Sequence, residues 1–294
     1  MIVITTPAGQ IGSQVLENLV GSGEHLRLVA RDLHGIPADT RQRVEVIEGS
    51  HGDPAVVDKA FDGADAVFWL TPPDPRAESV EAAYVGFTRP AAGAFRRHGV
   101  RRVVGVSALG RGTPWAARAG YVAGSLAMDD LIASSGAAYR ALTNPSFMDN
   151  IDRQTESIKN HGMFFSPIAG ERRLPSVATR DIAAAASRLL LDESWSGVEE
   201  VPLLGPEDLS FNDMAEIISE VLGKEVRFVQ TTFEAYKDRF ISFGMSEAMA
   251  QGMTDMAWAK NEGLDNGVIR TPENSTPTSF RQWSEAVLKS AVAA

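Results

Sequence analysis

At 294 residues and 44% hydrophobic content, the chain is long enough for one large domain or a core with a smaller appendage, and no apolar run approaches a membrane span. It has no cysteine, which excludes disulfides, thiolate metal sites and cysteine nucleophiles. A formal charge of −10 opposes non-specific attraction to nucleic acid, and the five histidines are scattered without metal-ligand spacing, so neither partner is expected.

Met1 leads directly into an apolar run, with no basic leader, so a cytoplasmic protein is expected. Ile2-Val3-Ile4 reads as a buried strand, and Ile11, Val15, Leu16 and Leu19 form a helical stripe after it. Leu26 to Ala30 and Val44 to Ile47 are the second and third strands. Asp53-Pro54 predicts an N-cap with proline at the first helical position, and Ala66 to Leu70 is a fourth strand ending at Thr71-Pro72-Pro73.

A long helical pattern runs from about Glu78 to His98, closed by Gly99. Pro90 lies inside it and should clash with the carbonyl of Gly86, which predicts a kink or a break. Val103 to Val106, the helix Tyr121 to Ser135 and the strand Tyr139 to Leu142 continue the alternation. Strand and helix alternating at this pitch specify an α/β fold, a Rossmann-type doubly wound parallel sheet.

Beyond Asn150 the rhythm changes. Phe164-Phe165 and the turn at residues 170–173 predict an irregular or hairpin excursion over 151–175 on the substrate side. Asp181 is expected to cap an alanine-rich helix through Leu191, and Val201 to Leu204 supplies a further strand. The Rossmann core is therefore assigned to 1–204, and 205–294 to a smaller, mainly helical region capping the substrate side. In that region Ser210 is the expected N-cap of an amphipathic helix, and residues 271–278 form a loop or strap.

The stretch TTPAGQIG, Thr5 to Gly12, follows a strand and opens a helix, the context a dinucleotide-binding loop requires. Gly9 lets backbone approach a pyrophosphate, Gly12 lets the helix pack on the sheet, and the helix N-terminus attracts phosphate. Thr6 stands where a first glycine is usual. Preceding Pro7, it is expected to be extended and to continue the strand. The bland alternative is a tight strand-to-helix turn that binds nothing. Arg31 lies nineteen residues past Gly12, where a 2′-phosphate sits, and its guanidinium suits phosphate. NADP(H) is thus expected over NAD(H), although the adjacent Asp32 could serve a ribose instead.

Together these segments resemble the NmrA-like group of atypical short-chain dehydrogenase/reductases. The loop with Arg31, TPP at 71–73, GVRRVVGVSALG at 99–110 and SSGAAYRALTNPSFMDN at 134–150 carry the resemblance. So do VATRDIA at 177–183 and LLGPEDLSFNDMAEIISEVLGK at 203–224, so it extends over most of the chain. It implies cofactor contact at Thr6, Gly9, Gln10, Ile11, Gly12, Arg31, Thr71 and Pro72, and beside the nicotinamide at Ser107, Asn144 and Pro145. Phe147, Met148 and Asn150 would stand on the substrate side, with Phe164 and Phe165 lining the pocket.

The family includes NAD(P)H-dependent reductases of quinones and triphenylmethane dyes, and regulators that bind the dinucleotide without turnover. Ordinary short-chain dehydrogenases use a serine with Y-x-x-x-K. Here Ser107 and Tyr121 are the candidate catalytic residues, but Ser125 follows Tyr121 where the lysine is expected, and no lysine lies between Lys59 and Lys159. Asn144 replaces the family's usual arginine. The expected activity is hydride transfer from NADPH to a flat conjugated small molecule such as a quinone or enone, in a monomer or homodimer. The alternative is a dinucleotide-sensing regulator. Met245, Met249, Met253 and Met256 recur at helical spacing, as a buried face or a flexible pocket wall.

Overall fold

The computed structural model describes residues 1–293. Six strands lead the chain: β1 (Ile2–Thr5), β2 (Leu26–Ala30), β3 (Glu45–Glu48), β4 (Ala66–Trp69), β5 (Arg102–Ala108) and β6 (Ala138–Asn144). Between them lie α1 (Gln10–Leu19), α2 (Ala38–Arg41), α3 (Pro54–Phe61), α4 (Phe87–His98) and α5 (Tyr121–Ala133). Next come β7 (Ser146–Phe147), α6 (Thr155–His161), β8 (Met163–Ser166), β9 (Leu174–Val177), α7 (Thr179–Leu191) and β10 (Val198–Pro202). The chain continues through β11 (Asp208–Leu209), α8 (Phe211–Leu222), β12 (Arg227–Gln230), α9 (Phe233–Ser242), α10 (Glu247–Asn261), α11 (Phe280–Trp283) and α12 (Lys289–Ala293).

Seven strands form one parallel sheet in the order β10-β6-β5-β4-β1-β2-β3. The winding reverses between β1 and β4, so the ligand crevice of such a sheet opens at the carboxyl ends of those strands. Both faces are covered, which is why the strands are continuous apolar runs. Ile4, Leu28 and Phe68 pack against α1 and α7 on one face; Val3, Val67 and Trp69 pack against α3, α4 and α5 on the other.

The Asp53 carboxylate caps α3 by accepting from the backbone of Ala55 and Val56, ahead of Pro54, as the sequence predicts. The expected break at Pro90 does not occur, and α4 runs through it. A π-helical turn over Ala82–Gly86 ends at the residue whose carbonyl was to clash. Its wider hydrogen-bonded ring sets the incoming carbonyls off the ordinary ladder, so the helix absorbs the proline.

Three other local expectations are corrected. Thr6 is not extended: its φ is +52°, left-handed. The 151–175 excursion is not a hairpin, since β8 pairs in parallel with β12, while β9 pairs with β7 and β11. Asp181 is not the cap of α7. Ala178 stands at that position, and Asp181 in the first turn accepts from the backbone N–H (3.0 Å) and hydroxyl (2.8 Å) of Thr278. It thereby fastens the 271–278 strap, which also pairs with Leu204 through Ser275.

Ser210 does cap α8, in a capping box with Asp213. A separate apolar cluster joins Met148, Ile158 and Phe164 to Met214, Ile218, Phe280 and Trp283. Among the described residues no helix is long and apolar enough to cross a membrane.

Candidate cofactor and active site

The strand-to-helix loop is shaped by Thr6. Its left-handed backbone turns the carbonyl back, where it accepts the N–H of Gly9 at 2.9 Å. The same carbonyl lies where a Cβ on residue 12 would have to stand, so only glycine fits there. Gly9 is the N-cap of α1, and no side chain caps it. The first-turn N–H groups of Gln10, Ile11 and Gly12 therefore point outward as donors, at the positive end of the helix dipole. Ile11 faces the core, so only its backbone is available. Gln10 turns its amide onto Asp149 at 2.8 Å, and the other oxygen of Asp149 accepts the N–H of Thr179 at the start of α7.

Arg31 lies exposed at the end of β2, and among the described residues it makes no ion pair or hydrogen bond. Asp32, the competing group, is engaged with His34, whose backbone N–H donates at 2.9 Å. Those bonds hold its carboxyl below the usual range. Thr71 is buried, with its hydroxyl against Thr88 (3.3 Å) and the Met128 sulfur, which leaves its backbone and half-buried Pro72 at the sheet edge. Beside them His51 is buried between the rings of Trp69 and Phe87 and bonded to the Leu70 carbonyl at 2.9 Å. Burial lowers its pKa to about 4, so it stays neutral at physiological pH.

At the ends of β5 and β6, Asn144 donates to the carbonyls of Ser107 (3.1 Å) and Leu142 (2.6 Å), and Pro145 is buried next to it. Ser107 donates its hydroxyl to the Asp129 carboxylate, and its oxygen lies 3.3 Å from that of Ser125. The second oxygen of Asp129 accepts from the Tyr139 hydroxyl at 2.6 Å. Ser107, Ser125, Asp129 and Tyr139 are all buried. Desolvation outweighs both hydrogen bonds and raises the Asp129 pKa to about 7.

Tyr121 opens α5 beneath α10. Its ring meets Tyr84 edge-on at 5.9 Å, and its hydroxyl lies 3.9 Å from the Met245 sulfur. Burial, then Tyr236, push the phenol up to about 12. Met249 is fully buried against this wall, with Met245, Met253 and Met256 partly buried around it, so the methionine face is both core and wall. Phe147 packs against the α1 and α7 side of the core, while Met148 and Phe164 are buried in the C-terminal cluster. Phe165 is half-buried under the Arg239 guanidinium (6.0 Å), and Asn150 is exposed. These five positions are thus spread over two apolar clusters and the surface.

Residues 8–193 match the family model described as NAD(P)H-binding, and residues 132–285 match that of the NmrA-like family. The chain belongs to the NmrA-like family. This NmrA-like chain is 26% identical over 285 residues to the NAD(P)H azoreductase of Xenophilus azovorans, covering 97% of this chain and 96% of that one. In fold it is similar to Citrobacter sp. triphenylmethane reductase complexed with NADP(H), with a TM-score of 0.78, 21% identity and 98% and 100% coverage. It is also similar to the NADPH-dependent quinone oxidoreductase QOR2 of Escherichia coli complexed with NADPH, with a TM-score of 0.78, 20% identity and 100% and 99% coverage.

The NmrA-like chain's own residues fit a dinucleotide. Along the sheet's carboxyl edge the Thr6 hydroxyl and the Asn144 Oδ1 are buried without a protein hydrogen-bond partner. A Cβ at residue 9 or 12 would meet the Thr6 carbonyl, so the two glycines let the loop close against the start of α1 beneath its uncapped N–H groups. Among the described residues no group of three or more His, Cys, Asp or Glu side chains is placed to hold a metal. Asp129, Tyr139, Asp149 and His51 escaped the sequence reading. Asp129 belongs to no motif, and only its burial on the inner face of α5 marks it out, whereas Tyr139 and Asp149 stand in the 134–150 segment with no role assigned to them there.

Proposed function

We propose that this NmrA-like protein is a reductase that takes hydride from NADPH, in preference to NADH, and gives it to a flat conjugated acceptor of the quinone or enone class. The supporting observation is the pairing of a phosphate-binding loop with a wall of Tyr84, Tyr121 and methionines at the mouth of α5. The relatives named for NAD(P)H-dependent reduction align along nearly their full length.

In this reading the outward N–H groups of Gln10, Ile11 and Gly12 hold the pyrophosphate, and Arg31 meets the 2′-phosphate. Arg31 is available for that role because no carboxylate claims it, while Asp32 is occupied by His34. Asn144 and Pro145 bound the nicotinamide side, and the bound cofactor supplies the hydride. The apolar wall orients the acceptor and excludes water, which is the chief demand of hydride transfer between flat rings. Conjugation stabilises the negative charge left on the acceptor, so no strong acid such as a lysine-activated tyrosine has to touch it.

The test is oxidation of NADPH, followed by absorbance, across a panel of small quinones and enones. Turnover with at least one acceptor class is expected. Tight binding of NADPH with no oxidation by any of them would transfer the protein to the sensing role, and absence of binding would remove both.

A further inference from the structure

The chain lacks the lysine-supported tyrosine of its relatives' wider group, yet a reduced acceptor must gain a proton. A buried acid is attached to the residue best placed to pass one on. Ser107 lies near the carboxyl end of β5 and is bonded to Asp129 on α5. Tyr139 reaches the same carboxylate from β6, and it can do so because residue 105 is glycine: a Cβ there would collide with the Tyr139 ring and hydroxyl. Gly105 and Ser107 share one face of β5, so strand, helix and neighbouring strand together build the cluster.

The groups facing Asp129 are few. From β5 and β6 come Ser107 and Tyr139; Ser125 lies a turn earlier on α5. Arg111 is the nearby cation, and it is bound by Asp130 at 3.0 Å and by Glu200 of β10. No base or cation touches Asp129 directly among the described residues.

We propose that Asp129 is a positioning residue that stores a proton and loads Ser107, whose hydroxyl delivers it to the heteroatom of the bound acceptor. The inference rests on the reductase reading. As the acceptor's heteroatom takes up the electron pair of reduction, a new bond forms between it and the Ser107 proton while the Ser107 O–H bond breaks. The Asp129 O–H bond breaks in turn and remakes the Ser107 hydroxyl. One proton has moved from Asp129 to product, leaving a carboxylate, and water returns one through Ser107 after product leaves. Burial favours this role, because it keeps the carboxyl protonated near neutral pH.

Two readouts test it. In the cofactor-free protein, infrared spectroscopy should show a buried carboxylic acid band at about pH 5 that fades as pH rises through about 7 and is absent from Asp129→Asn. In turnover with an enone, wild-type kcat should fall above about pH 7; Asp129→Asn should lose this limb and about 100-fold in kcat. Tyr139→Phe, which removes a bond favouring the carboxylate, should move the limb to higher pH. A limb that persists in Asp129→Asn, fails to move in Tyr139→Phe, or is unaccompanied by the band overturns the relay. Absence of wild-type turnover removes the reductase reading and the relay's role with it, whatever the band shows.

Discussion

The carbonyl oxygen of Thr6 occupies the space that a Cβ on Gly12 would need. The usual first glycine of a phosphate loop permits a left-handed turn, and here a threonine adopts it, with φ +52°. A β-branched residue at positive φ is strained by about 1–2 kcal/mol. The strain directs the carbonyl to the N–H of Gly9 and makes glycine at residue 12 obligatory.

Gly12→Ala should therefore destabilise the protein strongly, because the opposing atom is backbone and cannot yield. A loss at or above the upper end of about 1–3 kcal/mol is expected, with NADPH binding abolished. Urea unfolding and a binding titration check both, and a stable variant with normal affinity would contradict the loop geometry.

Thr6→Gly separates strain from contact. Relief of the left-handed threonine, less the entropy of a new glycine, should leave stability unchanged or raised by up to about 1 kcal/mol. Its hydroxyl, buried without a protein partner, is lost as well. NADPH should bind more weakly in the stable variant, and calorimetry would show unchanged affinity if the hydroxyl has no ligand role.

Arg31→Ala should weaken NADPH far more than NADH, because only the former carries the 2′-phosphate. Equal losses for both dinucleotides would place the 2′-phosphate elsewhere.

Tyr121→Phe should change kcat by less than about 3-fold, against the 100-fold or more that losing a general acid costs. The phenol is pushed up to about 12 and lies against Met245. A large loss confined to kcat would restore tyrosine as the proton donor.

Asp129 also couples stability to pH. Its folded pKa, about 7, stands above the ordinary 3.8, so the native state keeps a proton that the unfolded chain releases. Its contribution is fully present below about pH 4 and is lost as pH rises to about 7. Asp129→Asn, a neutral isostere, should gain stability relative to wild type across that window, by an amount on the order of a few kcal/mol. Unfolding at about pH 5 and about pH 8.5 measures it, and an equal difference at both would contradict the buried acid.

The sheet was legible in the sequence because its strands are short apolar runs separated by helical stripes, as Ile2-Val3-Ile4 is from Leu26 to Ala30 by Ile11, Val15, Leu16 and Leu19. What escaped depended on distant partners. The strand at Phe164 pairs with residues 227–230, far along the chain, so local signals left only an irregular or hairpin excursion. Asp181 has the look of a cap, but its partner is Thr278. Thr6 obeyed neither the preference before proline nor that of a β-branched residue, because packing of α1 on its carbonyl overrides both. Asp129 carries no local signal in the sequence, and only its bonds to the neighbouring strands show that it faces inward.

The most direct test of the account is hydride transfer from NADPH deuterated at the reactive C4 hydrogen. With an enone acceptor, the reduced product should carry deuterium on carbon, and Arg31→Ala should retain the transfer at a higher NADPH concentration. Tight NADPH binding with no deuterium in any product across the acceptor panel would contradict it.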